Sequence, residues 1–244
     1  MTIIFFAVLP AFLLVIYIWL RDKYQREPVS QILRAFVYGI ASACIAIVLE
    51  MIIGWLGLAP DEPTTLIGAA LKGFVGAAMP EEGAKLLMLW LVLRNNKYFD
   101  ERFDGIVYAC CVGLGFAATE NIIYLFSNLE DWQSIAAARA ISAVPGHFIF
   151  AIAMGYFYSM LYFGDMSWTK RNLVFWAPVA LHGTYDTLLF AINPAGVFGG
   201  LLYLAFLAFC IWLYTYGERR IKEQLKRDKE NPISVDTEDS ISCQ

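Results

Sequence analysis

The chain has only two histidines, His147 and His182, and both lie inside long apolar runs. Other groups in such runs are Glu81, Glu82 and Lys85, the pair Glu120-Asn121, and Asp186. A charged residue at the centre of a membrane helix costs about 2.5–3.5 kcal/mol on insertion scales, so Glu81, Glu82 and Lys85 together would cost roughly 9 kcal/mol. Ionisable residues held at such cost mark a site. Spacing joins them. Glu81 and Lys85 are i,i+4, Glu82 and Lys85 are i,i+3, and His182 and Asp186 are i,i+4, so each set shares a helix face. Two adjacent carboxylates, a lysine, two imidazoles and an aspartate form an acid–base set. A carboxylate can take a proton from water and later return it, while the imidazoles and Asn121 donate hydrogen bonds to a developing oxyanion. That chemistry suits attack of water on an amide carbonyl.

The elements that must carry these residues are membrane helices. Of 244 residues, 59% are hydrophobic and 16% charged, and mean hydropathy is +0.57. A soluble domain averages about 45–50% apolar and about 25% charged. Net charge is −4, so no basic field exists for a nucleic-acid partner. Cys44, Cys110, Cys111 and Cys210 sit in apolar stretches, Cys243 is near the end, and no CxxC occurs. They read as small hydrophobes.

The expected fold is all-α, a polytopic bundle of about seven transmembrane helices in the lipid bilayer. A span takes about 20 apolar residues. The stretches are Ile3–Leu20, Ile32–Leu56, Leu66–Leu93, Phe103–Phe126, Ser134–Phe163, Leu173–Ile192 and Val197–Tyr216. The first lacks the basic start and small-residue cleavage site of a signal peptide. Basic residues cluster after alternate spans: Arg21, Lys23 and Arg26; Arg94, Lys97 and Arg102; Lys170 and Arg171; and Arg219, Arg220, Lys222, Lys226, Arg227 and Lys229. The intervening connections carry none. The N-terminus is therefore expected outside and the C-terminus in the cytoplasm. In that arrangement the polar positions fall in the central-to-outer half of the bilayer and can converge in one hydrated cavity.

Pro80, Pro145 and Pro178 lie close to Glu81, His147 and His182. The run Leu66–Leu93 would be about 42 Å as one helix. Gly73, Gly76 and Pro80 allow a break, which puts Glu81 and Glu82 in the first turn of a new half-helix, where the dipole favours carboxylates. Glu50 and Arg139 read as interior partners or interfacial charges, with Arg139 near the outer surface. Lys72 reads as a snorkelling residue.

No HExxH, GxGD or GxSG signature is present. The residues that are present form an ordered set. It comprises Glu27-Pro28, Pro80-Glu-Glu-Gly-Ala-Lys85, Asp104-Gly-Ile-Val-Tyr108, Gly113-Leu-Gly-Phe-Ala-Ala-Thr-Glu-Asn121 with Tyr124, Arg139 with His147, and His182-Gly-Thr-Tyr-Asp186. This set resembles the PrsW family of intramembrane proteases, regarded as glutamic-type and related to the CAAX-prenyl proteases.

The resemblance implies that Glu81 and Glu82 are the double glutamate, Lys85 its basic partner, and His182 and Asp186 the closing motif. His147 is a further family histidine. Glu120 stands where the wider superfamily has the histidine of FxxxH, so Phe116-xxx-Glu120 departs from that motif in a way similar to the PrsW family itself. It also implies a single-pass membrane protein as substrate, for example an anti-sigma factor, and a bacterial plasma membrane. Residues 1–216 would form the protease domain, and 217–244 a charged cytoplasmic tail ending in a disordered stretch, Asn231–Gln244. No cofactor is implied. The alternatives are a zinc site built from Glu81, Glu82, His147 and His182, and a proton-coupled transporter.

Overall fold

The computed structural model describes residues 1–233, and every regular element among them is helical. The helices are α1 (Thr2–Arg21), α2 (Val29–Trp55), α3 (Leu66–Leu71), a π-helical segment (Lys72–Ala78), α4 (Met79–Leu93), α5 (Arg102–Ser127), α6 (Trp132–Ile141), α7 (Ala143–Tyr162), α8 (Leu173–Phe190) and α9 (Gly199–Glu230). The expected disordered end lies almost wholly outside the described residues.

Five stretches are long and apolar enough to cross a membrane: α1, α2, α5, α6 with α7, and α9 with the turn before it. The other two expected spans, built from α3 to α4 and from α8, carry Glu81, Glu82, Lys85, His182 and Asp186. These are also the spans that the charges make least apolar.

Helix α5 is the axis. Its N-terminus is closed by a capping box in which Glu101 and Asp104 satisfy each other's backbone N–H groups. From Phe103 to Ala118 every residue is buried, as in a helix surrounded by others. The surrounding helices each bury one stripe. In α2 it is Ile32, Ala35, Gly39, Ser42, Ala43 and Ala46. Leu33, Val37, Val48 and Ile52 face outward, an apolar exterior suited to lipid.

Small residues let the backbones touch. A Cβ on Gly115 would stand 2.1 Å from the Phe36 carbonyl oxygen, and one on Gly39 would stand 2.1 Å from that of Val112. These two glycines seat α2 against α5.

Two expectations change in detail. The run Leu66–Leu93 does not break. It passes through seven π-helical residues into α4, which has Pro80 in its first turn. Proline lacks the N–H that would continue an α-helical ladder, and the wider π turn absorbs the mismatch. The fifth span is two helices that meet at Ser142, where the backbone leaves the helical region. The last helix runs unbroken through residue 217 to Glu230.

Loops at the basic end are tied together. Arg102 pairs with Asp165 and with Asp228, and Arg21 with Glu218.

Gly115→Leu is expected to lower the melting temperature in detergent, because overpacking costs about 1–3 kcal/mol and here the obstacle is backbone. Gly200→Ala, where nothing lies within 4 Å of the added carbon, should melt at or above the wild-type temperature.

Candidate active site

Pro80 and the π segment start α4 so that Glu81, Glu82 and Lys85 all point into the bundle, each at most 5% exposed. Lys85 Nζ donates to Glu82 Oε1 at 2.8 Å and to Glu81 Oε2 at 3.1 Å. It also stands 3.1 Å from His147 Nδ1, on α7, and 3.9 Å above the ring of Phe116, on α5. An ammonium has only donors, so Nδ1 of His147 accepts and its proton sits on Nε2. That Nε2 lies 2.8 Å from Glu120 Oε2.

On α8, His182 presents Nδ1 to Glu82 Oε1 at 2.9 Å and Nε2 to Asp186 Oδ2 at 3.3 Å, with Glu81 Oε2 at 3.9 Å. Its ring stacks on Phe150, with centroids 4.7 Å apart and planes 18° apart. The two imidazoles are 5.2 Å apart.

Seven of the eight expected site residues thus form one hydrogen-bonded chain: Asp186, His182, Glu81, Glu82, Lys85, His147 and Glu120. Asn121 joins it differently. Its Nδ2 donates to the Ala7 carbonyl of α1 at 3.0 Å and its Oδ1 accepts from Arg139 Nε at 2.6 Å. It orients Arg139 and takes no part in the cavity wall.

Arg139, expected near the surface, is a working member of the cluster. Its Nη2 lies 2.6 Å from Glu120 Oε2, and its guanidinium lies 4.0 Å above the ring of Tyr124. Local spacing carries no signal for this contact, because it joins α6 to α5 across the bundle.

These groups border a cavity of about 480 Å³, lined among others by Glu50, Glu81, Glu120, Arg139, His147, His182 and Asp186. Its volume lies within the range of ligand pockets, about 300–1,000 Å³. Ala59, Pro60, Asp61 and Lys72 also line it, so it extends to the α2–α3 connection, away from the basic end. Lys72 donates to the Asp61 carbonyl there and lies over Phe190. Glu50, expected as an interior partner or an interfacial charge, faces this space. Glu81 lines it, whereas Glu82 is fully buried behind it with Oε2 unpartnered. The cluster holds five carboxylates against two fixed cations, Lys85 and Arg139. Such an excess of acceptors leaves places for mobile protons, which acid–base chemistry requires.

The pattern described as PrsW family intramembrane metalloprotease matches residues 27–214. The chain belongs to the PrsW family of intramembrane proteases. It is 34% identical over 202 residues to a protease PrsW of Geobacillus kaustophilus, covering 81% of this chain and 84% of the relative. It is 33% identical to one of Clostridioides difficile (75% and 77% covered) and 30% identical to one of Bacillus subtilis (88% and 91% covered). No solved structure matches it. With its several apolar helices, this PrsW-family chain is a multi-pass membrane protein.

The family description implies a metal. Glu81, Glu82, His147 and His182 do bring ligand atoms within 4.8 Å of one another, and their types suit zinc. A cation already stands among them, however. Lys85 Nζ contacts both glutamates and His147 Nδ1 at 2.8–3.1 Å, and an ion there would meet the ammonium. With Lys85 so placed, the four residues do not fit a metal.

Arg139→Met should destabilise the protein by about 2–3 kcal/mol. That is below the about 3–5 kcal/mol for a broken fully buried pair, because Glu120 keeps access to the cavity. Adding Glu120→Gln should recover part of the loss, read as non-additive melting in a double-mutant cycle.

Proposed function

We propose that this chain is a glutamate-dependent intramembrane endopeptidase that needs no metal and hydrolyses a peptide bond of a single-pass membrane protein, for example an anti-sigma factor. One observation carries the reading. Side chains from α4, α5, α7 and α8 form one polar cluster around Lys85 and border a cavity large enough for water and a stretch of unwound peptide. The N-terminus is outside and the basic end faces the cytoplasm of a bacterial plasma membrane, so the cavity opens to the outer side. The substrate is therefore cut in the outer half of the bilayer.

In the proposed mechanism Glu81 is the base, since it lines the cavity and Glu82 does not. A water in the cavity gives its proton to Glu81 as its oxygen bonds to the carbonyl carbon. The carbonyl oxygen becomes an oxyanion that accepts a hydrogen bond from His182 Nε2, whose contact with Asp186 is long at 3.3 Å. Glu81 then passes the proton to the amide nitrogen, the C–N bond breaks, and a carboxyl and an amine leave. Glu82 positions Lys85 and His182, and Asp186 holds His182 from its other side. Glu120 holds His147, with Arg139 and Asn121 behind it.

Glu81→Gln should lower the rate of cleavage of a reconstituted single-span substrate at least about 100-fold, as expected for loss of a general base. Glu82→Gln should lower it too, by displacing Lys85 and His182. Full activity in both variants ends the reading. Zinc measured on the purified, active protein should be substoichiometric, and cleavage should survive chelation. One zinc per chain, with activity lost to chelator and restored by zinc, would favour a metal held by Glu81, Glu82, His147 and His182 in a form where Lys85 has withdrawn.

A further inference from the structure

A second set of buried carboxylates lies at the basic end, outside the catalytic cluster. Asp22 and Glu27 come from the α1–α2 connection, Glu101 and Asp104 from the start of α5, and Asp228 from α9. All are at most 9% exposed.

Asp228 is fully engaged. Its oxygens accept from the backbone N–H groups of Arg102 and Phe103 at 3.1 and 2.9 Å, and from the Arg102 side chain. The other four each use one oxygen and leave one idle. Asp104 Oδ2 accepts from the N–H groups of Asp100 and Glu101 at 3.1 and 2.6 Å. Asp22 Oδ2 accepts from the Glu27 N–H at 3.3 Å, and Glu27 Oε2 from the Tyr108 hydroxyl at 2.5 Å. Glu101 accepts from the Asp104 N–H in the capping box. Asp22 Oδ1, Glu27 Oε1, Glu101 Oε2 and Asp104 Oδ1 are buried with no partner.

These orphan oxygens sit among one another. The Glu27 side chain is within hydrogen-bonding reach of that of Asp104, and Asp104 feels the charges of Glu27, Asp22 and Glu101. Among the described residues no ion pair reaches any of the four, and the nearby Arg102 is held by Asp165 and Asp228. Buried carboxylates left unpaired each cost several kcal/mol. Four buried acceptor oxygens without a donor, on carboxylates of one end of the bundle, leave room for a cation.

The donor set names its class. It is all oxygen, which suits hard ions and not soft ones. No three of these carboxylates bring oxygens within 4.8 Å of one another, so they do not form the closed cage of a large ion stripped of water. Magnesium keeps several waters and binds through one or two carboxylates. We propose that Glu27 and Asp104 bind a hydrated magnesium-type divalent cation, whose water donates to Asp22 and Glu101. The ion ties the α1–α2 connection to the first turn of α5, and it is separate from the catalytic cluster.

The test uses the full chain purified in detergent, stripped with chelator and titrated with Mn²⁺ as the magnesium surrogate. Free Mn²⁺ is read by electron paramagnetic resonance. One Mn²⁺ per chain is expected, displaced by excess Mg²⁺. Its affinity should fall at least about tenfold in Glu27→Gln and in Asp104→Asn and should be unchanged in Glu81→Gln and His182→Ala. Absence of a Mn²⁺ site, or a site unaffected by Glu27→Gln and Asp104→Asn, overturns the proposal and leaves the carboxyls sharing protons. If those variants do not fold, the wild type decides through the hyperfine couplings of bound Mn²⁺. Exchangeable water protons without nitrogen coupling support the site. Nitrogen coupling overturns it, because the only imidazoles in the chain are His147 and His182 of the catalytic cluster.

Discussion

A buried ammonium group organises this protein. Lys85 is buried, 3% exposed, and its charge is tolerable because Glu81, Glu82 and His147 meet it within 3.1 Å and the face of Phe116 closes the fourth side. In a low-dielectric interior such a group cannot be left unmatched. The matching groups come from three helices, and His182 and Glu120 are recruited one bond further out. The demand of one cation for partners thus fixes the mutual placement of α4, α5, α7 and α8. The same placement walls the cavity.

The rest of the architecture follows from that demand. Glycine contacts bring α2 hard against α5, which makes α5 a rigid axis for Phe116 and Glu120. The π segment before Pro80 accommodates the missing N–H and turns the double glutamate inward without breaking the span. The charge balance also limits the chemistry. Lys85 Nζ meets Glu81, Glu82 and His147, while Glu50, Glu81, Glu120 and Asp186 face the cavity as groups able to handle a proton.

Much of this was legible in local sequence. The i,i+4 pairs Glu81–Lys85 and His182–Asp186, and the location of both histidines in apolar runs, pointed to one polar site, and seven of its eight expected members meet. What misled was reasoning confined to one helix at a time. Asn121 looked like an oxyanion donor but turns to Ala7 and Arg139. Arg139 looked interfacial but braces Glu120. Pro80 suggested a break where the backbone widens its turn instead.

The sequence by itself determined that the chain lives in a membrane, roughly where it crosses, and which side chains are too costly there to be idle. Hydropathy, charge and helical period are properties of neighbouring residues, so they survive without a fold. Only the tertiary structure decided that Glu81 and not Glu82 borders the cavity, that Lys85 meets His147 of α7, and that the carboxylates of Glu27 and Asp104 are both buried at the far end. Each of those depends on which faces of distant helices pack together, and no spacing along the chain encodes that.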